Sequence, residues 1–192
     1  MKTKFIAYLI ATIAATAGTA AFAQPVTYTV EPTHTFVMWE AKHFGTSTVR
    51  GRFDKKSGSI TIDRAAKTGS AEINIDMKSI STGVVPFDKH LQSEDFFSAE
   101  KFPDAKFVGS AFKFDGDKVT EVAGNLTLRG QTQPAVIKAL SFNCYTSPML
   151  KREVCGGDFE TTIARSAFDM EYGLPGIPDA IKLTIQIEAI KQ

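Results

Sequence analysis

Apolar and polar residues alternate with a period of two along three segments of the chain, Ser70–Lys78, Ala180–Ile190 and Val49–Asp54. Successive side chains of a β-strand point to opposite faces, so this pattern predicts strands that bury one face and expose the other to water. In the first segment the apolar face consists of Ala71, Ile73, Ile75 and Met77.

Weaker alternation predicts seven further strands, at Val26–Val30, Thr35–His43, Ser59–Asp63, Lys106–Phe114, Lys118–Leu128, Ala135–Tyr145 and Asp158–Arg165. The segments Lys55–Gly58 and Asp115–Asp117 have the composition of hairpin turns, and Arg129-Gly130 is expected to end a strand. Short connections favour antiparallel pairing. About eight to ten strands in one chain indicate an all-β sandwich or a closed barrel.

Glycines interrupt three of the strand patterns, at Gly51, Gly109 and Gly124. Glycine inside a strand marks a bulge or a sharp bend, and barrels need such positions at their corners. We therefore expect irregular strand geometry at these three residues.

The segment Pro86–Pro103 departs from the strand pattern. Its stretch Phe87–Ser93 predicts one or two helical turns, and Phe96, Phe97 and Phe102 are expected to pack inward, because three exposed phenylalanines so close together would favour aggregation. We predict a short helical excursion over one end of the barrel.

The first 23 residues have the organisation of a secretory signal peptide. Lys2 and Lys4 precede the uncharged, mostly apolar run Phe5–Ala17, and Ala21-Phe22-Ala23 forms an A-x-A box. This order predicts cleavage after Ala23, export to the periplasm and a single mature domain over residues 24–192. A membrane anchor is the alternative interpretation of the same run, but polar residues dilute it and no basic cluster follows. We expect no stable membrane insertion.

Cysteine content predicts a covalent link, and net charge restricts the class of partner. Cys144 and Cys155 are the two cysteines of the chain, and in an exported protein they predict a disulfide; two free thiols are the alternative. The 22 Lys and Arg residues against 21 Asp and Glu give a net charge of +1, which argues against a nucleic-acid partner.

Candidate catalytic and metal-ligating residues are few. The three histidines are His34, His43 and His90, and Asp88 stands two residues before the last of them. A metal or hydrolytic site built from these four residues is the alternative function, although their spacing matches no metal signature and G-x-S-x-G is absent. Hydrogen-bonded structural histidines are the simpler interpretation, so we expect no cofactor and no enzymatic activity.

Five stretches together resemble the YceI-like family of exported lipid-binding proteins. Each stretch is short, but their order and spacing cover nearly the whole chain after the signal segment. They are His34–Phe53, Ser79–Phe97, Phe102–Phe107, Gly124–Thr132 and Ala164–Met170. Family members often carry Asp-Phe-Gly after the Arg-Ser pair, where this chain has Ala167-Phe168-Asp169. The loop between the two cysteines is also not general in the family.

The resemblance implies a lipocalin-like antiparallel barrel of about eight strands, without catalysis. It implies a long hydrophobic tunnel for a polyprenyl chain, an isoprenoid quinone or a fatty amide, that is, a hydrophobic small-molecule partner. Exposed strand edges permit a homodimer without requiring one.

Strand parity and the helical segment supply the candidate ligand-binding residues. A ligand tunnel and a fully packed core both require apolar side chains at these positions, so the sequence pattern does not distinguish a tunnel from a packed core. The candidates are Val37, Trp39, Ala41, His43, Phe53, Ile73, Ile75, Met77, Leu91, Phe96, Phe97, Leu126, Ile185 and Ile187. Phe96 and Phe97 are expected to cap the tunnel. His43, Arg50 and Asp88 are weaker candidates for head-group contacts, since Arg50 shares its parity with Arg52 and so favours water.

Overall fold

The computed structural model describes residues 24–192, and nearly all of its regular structure is β-strand. The twelve strands are β1 Val26–Val30, β2 Phe36–His43, β3 Ser47–Phe53, β4 Lys56–Asp63, β5 Thr68–Asp76, β6 Ile80–Ser81, β7 Asp104–Asp115, β8 Lys118–Leu128, β9 Gln131–Ala139, β10 Asn143–Thr146, β11 Glu153–Ala164 and β12 Ala180–Lys191. The predicted signal peptide, residues 1–23, lies outside the described residues.

Eight strands close into an antiparallel barrel. The ring runs β1, β4, β5, β7, β8, β9, β11 and β12, and the pairing of β12 with β1 completes it. The closure between β9 and β11 is narrow, with Phe159 opposite Ala139 and Glu160 opposite Lys138. Closing the ring removes most unpaired strand edges, which is why the alternating pattern can bury one face along every strand. The predicted barrel class is confirmed.

Three strands extend the wall of this barrel at one end. One edge of β12 pairs with β1 through Ala189–Lys191 and with β2 through Lys182–Gln186. Strand β2 then pairs with β3, and β3 with the two-residue β6. The sheet therefore ends in the short strands β6 and β10, which leave little free edge; a homodimer stays a prediction.

Two details of the predicted strand order are wrong. Lys55–Gly58 is not a hairpin turn: Lys56 already pairs with Ile75, and β3 and β4 have different partners. The predicted strand Ala135–Tyr145 is two strands, β9 and β10, separated by Leu140–Phe142. In contrast, Arg129 and Gly130 form the tight turn between β8 and β9, both with positive φ.

The predicted helical excursion is present as helix α1, Val85–Gln92. Pro86 occupies its first turn, where a missing N–H costs nothing, and Asp88 accepts hydrogen bonds from the N–H and hydroxyl of Thr82 (2.7 and 2.6 Å). These bonds fix the approach of the chain to the helix. Among residues 24–192, no helix has the length and apolar character that a membrane crossing requires.

The predicted disulfide is present at the opposite end of the barrel wall. Cys144 and Cys155 are directly opposite each other on β10 and β11, with Cα atoms 4.1 Å apart. The guanidinium of Arg64 contacts both sulfur atoms (2.9 and 3.0 Å) and also binds Glu153. Burial, together with a hydrogen bond to Glu153, raises the pKa of the neighbouring Tyr28 to about 12. The disulfide and the contact of Arg64 with its sulfur atoms link β10 to the barrel.

Candidate functional site

Two cavities occupy the inside of the barrel. The larger has a volume of about 600 Å³ and the smaller about 130 Å³. Both are lined by Val37, Ile75, Leu126 and Leu183, so they follow one another along the barrel axis. Pockets for small molecules are typically about 300 to 1,000 Å³ and mostly apolar, a range that contains the larger cavity.

The elements that build the larger cavity are β2 and β3 on one side and helix α1 with the segment after it across the top. Alternation along β2 turns Val37, Trp39 and Ala41 toward the cavity. Helix α1 contributes Phe87 and Leu91, which are four residues apart and therefore share one helix face. The periodicity of the sequence therefore determines which side chains of β2 and α1 face the cavity.

All fourteen candidate residues line one of the two cavities. The larger cavity is lined by Val37, Trp39, Ala41, His43, Phe53, Ile75, Met77, Leu91, Phe96, Phe97 and Leu126. The smaller cavity is lined by Ile73, Ile185 and Ile187, besides the shared Val37, Ile75 and Leu126. The structure therefore brings the candidates together as one elongated apolar interior.

An aromatic rim surrounds the open end of the larger cavity. His43 is exposed at the end of β2, and next to it Phe44 leaves 63% of its surface in solvent. The ring of Tyr172, which is 50% exposed, packs edge-on against His90 and Phe96 with centroids 5.3 and 5.4 Å away. These residues place aromatic rings between the apolar interior and water, and the rings of His43, His90 and Tyr172 carry polar atoms.

Of the residues that the structure describes, Arg165 is the one buried charged residue in the wall of the larger cavity. It follows β11 directly, and its guanidinium donates to the carbonyls of Met170, Ile177 and Pro178 at 2.7, 3.0 and 3.0 Å. Burial lowers the pKa of Arg165, although the negative charge of Asp179 acts in the opposite direction. Arg165 lies in the Ala164–Met170 stretch that resembles the family, but it was not predicted as a site residue.

Trp39 also places a buried polar atom in the wall of the larger cavity. Its indole Nε1 is buried and has no hydrogen-bond acceptor among the described residues. A buried donor left unpaired costs about 1–3 kcal/mol, so its persistence requires an explanation. The ring is held in place because Gly51, directly opposite on β3, leaves room for it.

The four residues of the alternative metal or hydrolytic site do not form one site. His43 and His90 line the larger cavity, whereas His34 and Asp88 line neither cavity. His34 and His43 lie before and at the end of β2, separated by roughly 30 Å of extended chain. In residues 24–192, no group of three or more His, Cys, Asp or Glu is placed to hold a metal ion.

Three of those four residues, His34, His90 and Asp88, have a polar side-chain partner close by. His34 binds Glu31 at 2.6 Å. Burial alone would raise the pKa of Glu31, but hydrogen bonds from Thr33 and His34 lower it to about 2. His90 lies 3.3 Å from Asp95, and Asp88 holds Thr82.

Arg50 and Asp88, the weaker head-group candidates, lie away from both cavities. Arg50 pairs with Glu40 at 3.1 Å on the outer face of the wall, where 68% of its side chain is exposed. Asp88 is bound to Thr82 beside helix α1. His43 alone of the three lines the larger cavity.

Comparison with known proteins gives a consistent result. The family model described as the YceI-like domain matches residues 28–189. A UPF0312 protein of Pseudomonas putida (strain W619) is 34% identical over 196 residues, covering 100% of this chain and 99% of that protein.

Two solved structures have a similar fold. Burkholderia cenocepacia BcnA aligns with a TM-score of 0.68 and 25% identity, over 83% of this chain and 99% of its own. A polyisoprenoid binding domain from Saccharophagus degradans, implicated in plant cell wall breakdown, aligns with a TM-score of 0.62 over 86% of this chain and 98% of its own. Its identity is 16%, so that likeness is one of fold.

Proposed function

Because the chain belongs to the YceI-like domain family, we propose that it is a periplasmic carrier that holds an amphiphilic lipid of the isoprenoid type inside its barrel. The ligand class is a polyprenyl chain, an isoprenoid quinone or a fatty amide. The observation that carries the proposal is the apolar cavity of about 600 Å³, continued by a second one along the same axis.

The shape of the interior supports a chain rather than a compact ligand. The two cavities are arranged end to end, and their shared residues are aliphatic. Removing apolar surface from water contributes about 25 cal/mol per Å² and has no directional preference. Such a site therefore selects a tail by its length and width, and leaves recognition of the head to the few polar groups near the open end.

The proposed role is binding, without catalysis. The fourteen candidate residues are proposed to contact the tail, with Phe96 and Phe97 covering it beneath helix α1. The polyisoprenoid binding domain with the same fold supports this choice of ligand.

Export to the periplasm is proposed from the sequence of residues 1–23 and from the chemistry of the disulfide. Disulfides persist in oxidising compartments, and the bond between Cys144 and Cys155 fits such a location.

The test is a titration of purified protein, stripped of lipid, with geranylgeraniol. Trp39 is the sole tryptophan of the chain and lines the larger cavity, so its fluorescence reports on occupancy. We expect a saturable change in emission. An unchanged spectrum, together with no retention of the alcohol on gel filtration, would contradict the proposal.

A matched pair of variants locates the binding. Ala41→Phe adds a ring inside the larger cavity and should lower the affinity for geranylgeraniol at least about tenfold. Ala164→Phe makes the same substitution at an exposed position of β11 and should bind normally. Equal affinities of the two variants would place the alcohol outside the cavity.

A further inference from the structure

The side chains that line the larger cavity and can carry a positive charge are not balanced by acidic ones. Arg165 and Lys42 are cations, and His43 and His90 become cations when protonated. None of the described residues that line this cavity is Asp or Glu. A mostly apolar wall with low polarisability strengthens the field of these charges, since it screens them less than water does.

Arg165 has hydrogen-bonding capacity that the protein does not use. A guanidinium carries five N–H groups, and in the described residues three of them donate, one from each nitrogen. One N–H on each Nη is therefore left over. The side chain belongs to a residue with only 4% of its surface exposed, so bulk water does not readily satisfy them.

Among residues 24–192, no carboxylate is in direct contact with the guanidinium of Arg165. Asp179 acts on its charge from a distance, and the oxygens of Asp179 are taken by the N–H and the hydroxyl of Ser166 (2.7 and 2.8 Å). The three acceptors that do bind Arg165 are neutral carbonyls. A buried cation without a paired anion is costly, and a bound anion removes that cost.

We propose that the ligand carries an anionic, oxygen-rich head group, a phosphate monoester or a carboxylate, and that the free Nη–H groups of Arg165 bind it. Phosphate and carboxylate match the planar fork of a guanidinium with two oxygens. The apolar tail then extends along the two cavities, and Lys42 at the rim attracts the entering head. This inference rests on the proposed function and narrows it to acidic amphiphiles.

A purely structural role for Arg165 explains only part of its geometry. The three carbonyls belong to residues 170–178, so the guanidinium does fasten this loop. Fastening a loop does not require the residue to line a lipid-sized cavity from which acidic side chains are absent. The test must therefore separate head-group binding from loop stability.

The first measurement uses the unmodified protein and needs no variant. Geranylgeranyl monophosphate and geranylgeraniol share one tail, and only the monophosphate is charged at pH 7. We expect the monophosphate to bind about ten- to a hundredfold more tightly, by displacement of a fluorescent lipid probe. Equal affinities would overturn the inference and leave the proposed function standing, whereas binding of neither compound would overturn both.

Variants then assign the preference to Arg165. Arg165→Gln should remove most of the preference for the monophosphate, while affinity for the alcohol changes little. Arg165→Lys keeps the charge but not the fork and should give an intermediate ratio; it replaces Arg165→Gln if thermal melting shows that the latter is unfolded. Arg152→Gln removes one exposed cation elsewhere and should leave the ratio unchanged. A full preference in a folded Arg165 variant would overturn the assignment.

Inorganic phosphate distinguishes a lipid head group from a free anion. It has no tail to bury, so millimolar phosphate should fail to displace geranylgeranyl monophosphate. Displacement at concentrations comparable to that of the lipid would overturn the inference, because the site would then recognise the anion alone.

Discussion

At the scale of single residues, the contact between Trp39 and Gly51 positions an indole ring that lines the larger cavity. The two residues are directly opposite each other on β2 and β3, and a β-carbon on Gly51 would lie 2.6 Å from the Cζ2 atom of Trp39. Our expectation of a bulge at Gly51 is wrong, because the ladder is unbroken there and the glycine makes room for the indole. At Gly109 the expectation is confirmed, since the register shifts before Ala111.

Gly51→Ala should therefore displace the indole and destabilise the protein by about 1–3 kcal/mol, as crowding of a packed site does. Urea denaturation measures the loss, and the emission maximum of Trp39 reports the displacement. The matched background is Trp39→Phe, whose smaller ring leaves space for the methyl group. If Gly51→Ala cost the same in both backgrounds, the contact with Trp39 would not be its cause.

At the scale of elements, the β10–β11 hairpin depends on a covalent link. Strand β10 has four residues and pairs only with β11, so its ladder alone gives little stability. The disulfide joins the two strands in register, and Arg64 bridges the sulfurs to Glu153. The smaller cavity is lined by Cys155, whereas the larger one lies toward the other end.

Replacing both Cys144 and Cys155 by Ala should lower the free energy of unfolding by about 2–4 kcal/mol, because the reduced chain has more freedom when unfolded. Urea denaturation with and without dithiothreitol measures the effect. Reductant should destabilise the unmodified protein by a similar amount and leave the double variant unaffected. Geranylgeraniol should still change the fluorescence of Trp39 in the double variant; a lost signal in folded protein would show that the hairpin shapes the larger cavity.

The sequence predicts where the strands of this protein lie better than it predicts which strands pair. Alternation placed most strands because each buries one face, and the set of motifs correctly indicated the YceI-like family. The prediction of a hairpin turn at Lys55–Gly58 was wrong because it used only local composition. The pairing of Lys56 with Ile75 depends instead on residues far away in the sequence. Asp169 differs from the glycine common in the family and adopts the left-handed conformation, which Asp tolerates (φ 59°).

The candidate site was predictable in its apolar part and at His43, but not at Arg165. Parity selects inward-facing side chains on strands, and it brought together Val37, Trp39 and Ala41. Arg165 could not be found in this way, because it follows a strand and its side chain is held by carbonyls that lie five, twelve and thirteen residues later in the chain. The short Ala164–Met170 motif was the one signal that pointed to it.

At the scale of the whole molecule, one closed barrel combines three features. Its interior is apolar and elongated, its open end carries aromatic and basic side chains, and its far end is fastened by a disulfide. Burial of a tail by such an interior is favourable wherever the tail would otherwise contact water, which is the situation of a lipid between two membranes. We therefore expect the interior to hold a lipid in the native protein.

The most direct test is to express the full chain, purify it under oxidising conditions from the periplasm, and identify by mass spectrometry what organic solvent extracts from it. We expect a single class of isoprenoid or fatty chain in roughly stoichiometric amount. A protein that yields no lipid, and that also fails to take up added geranylgeraniol or an isoprenoid quinone, would contradict this expectation.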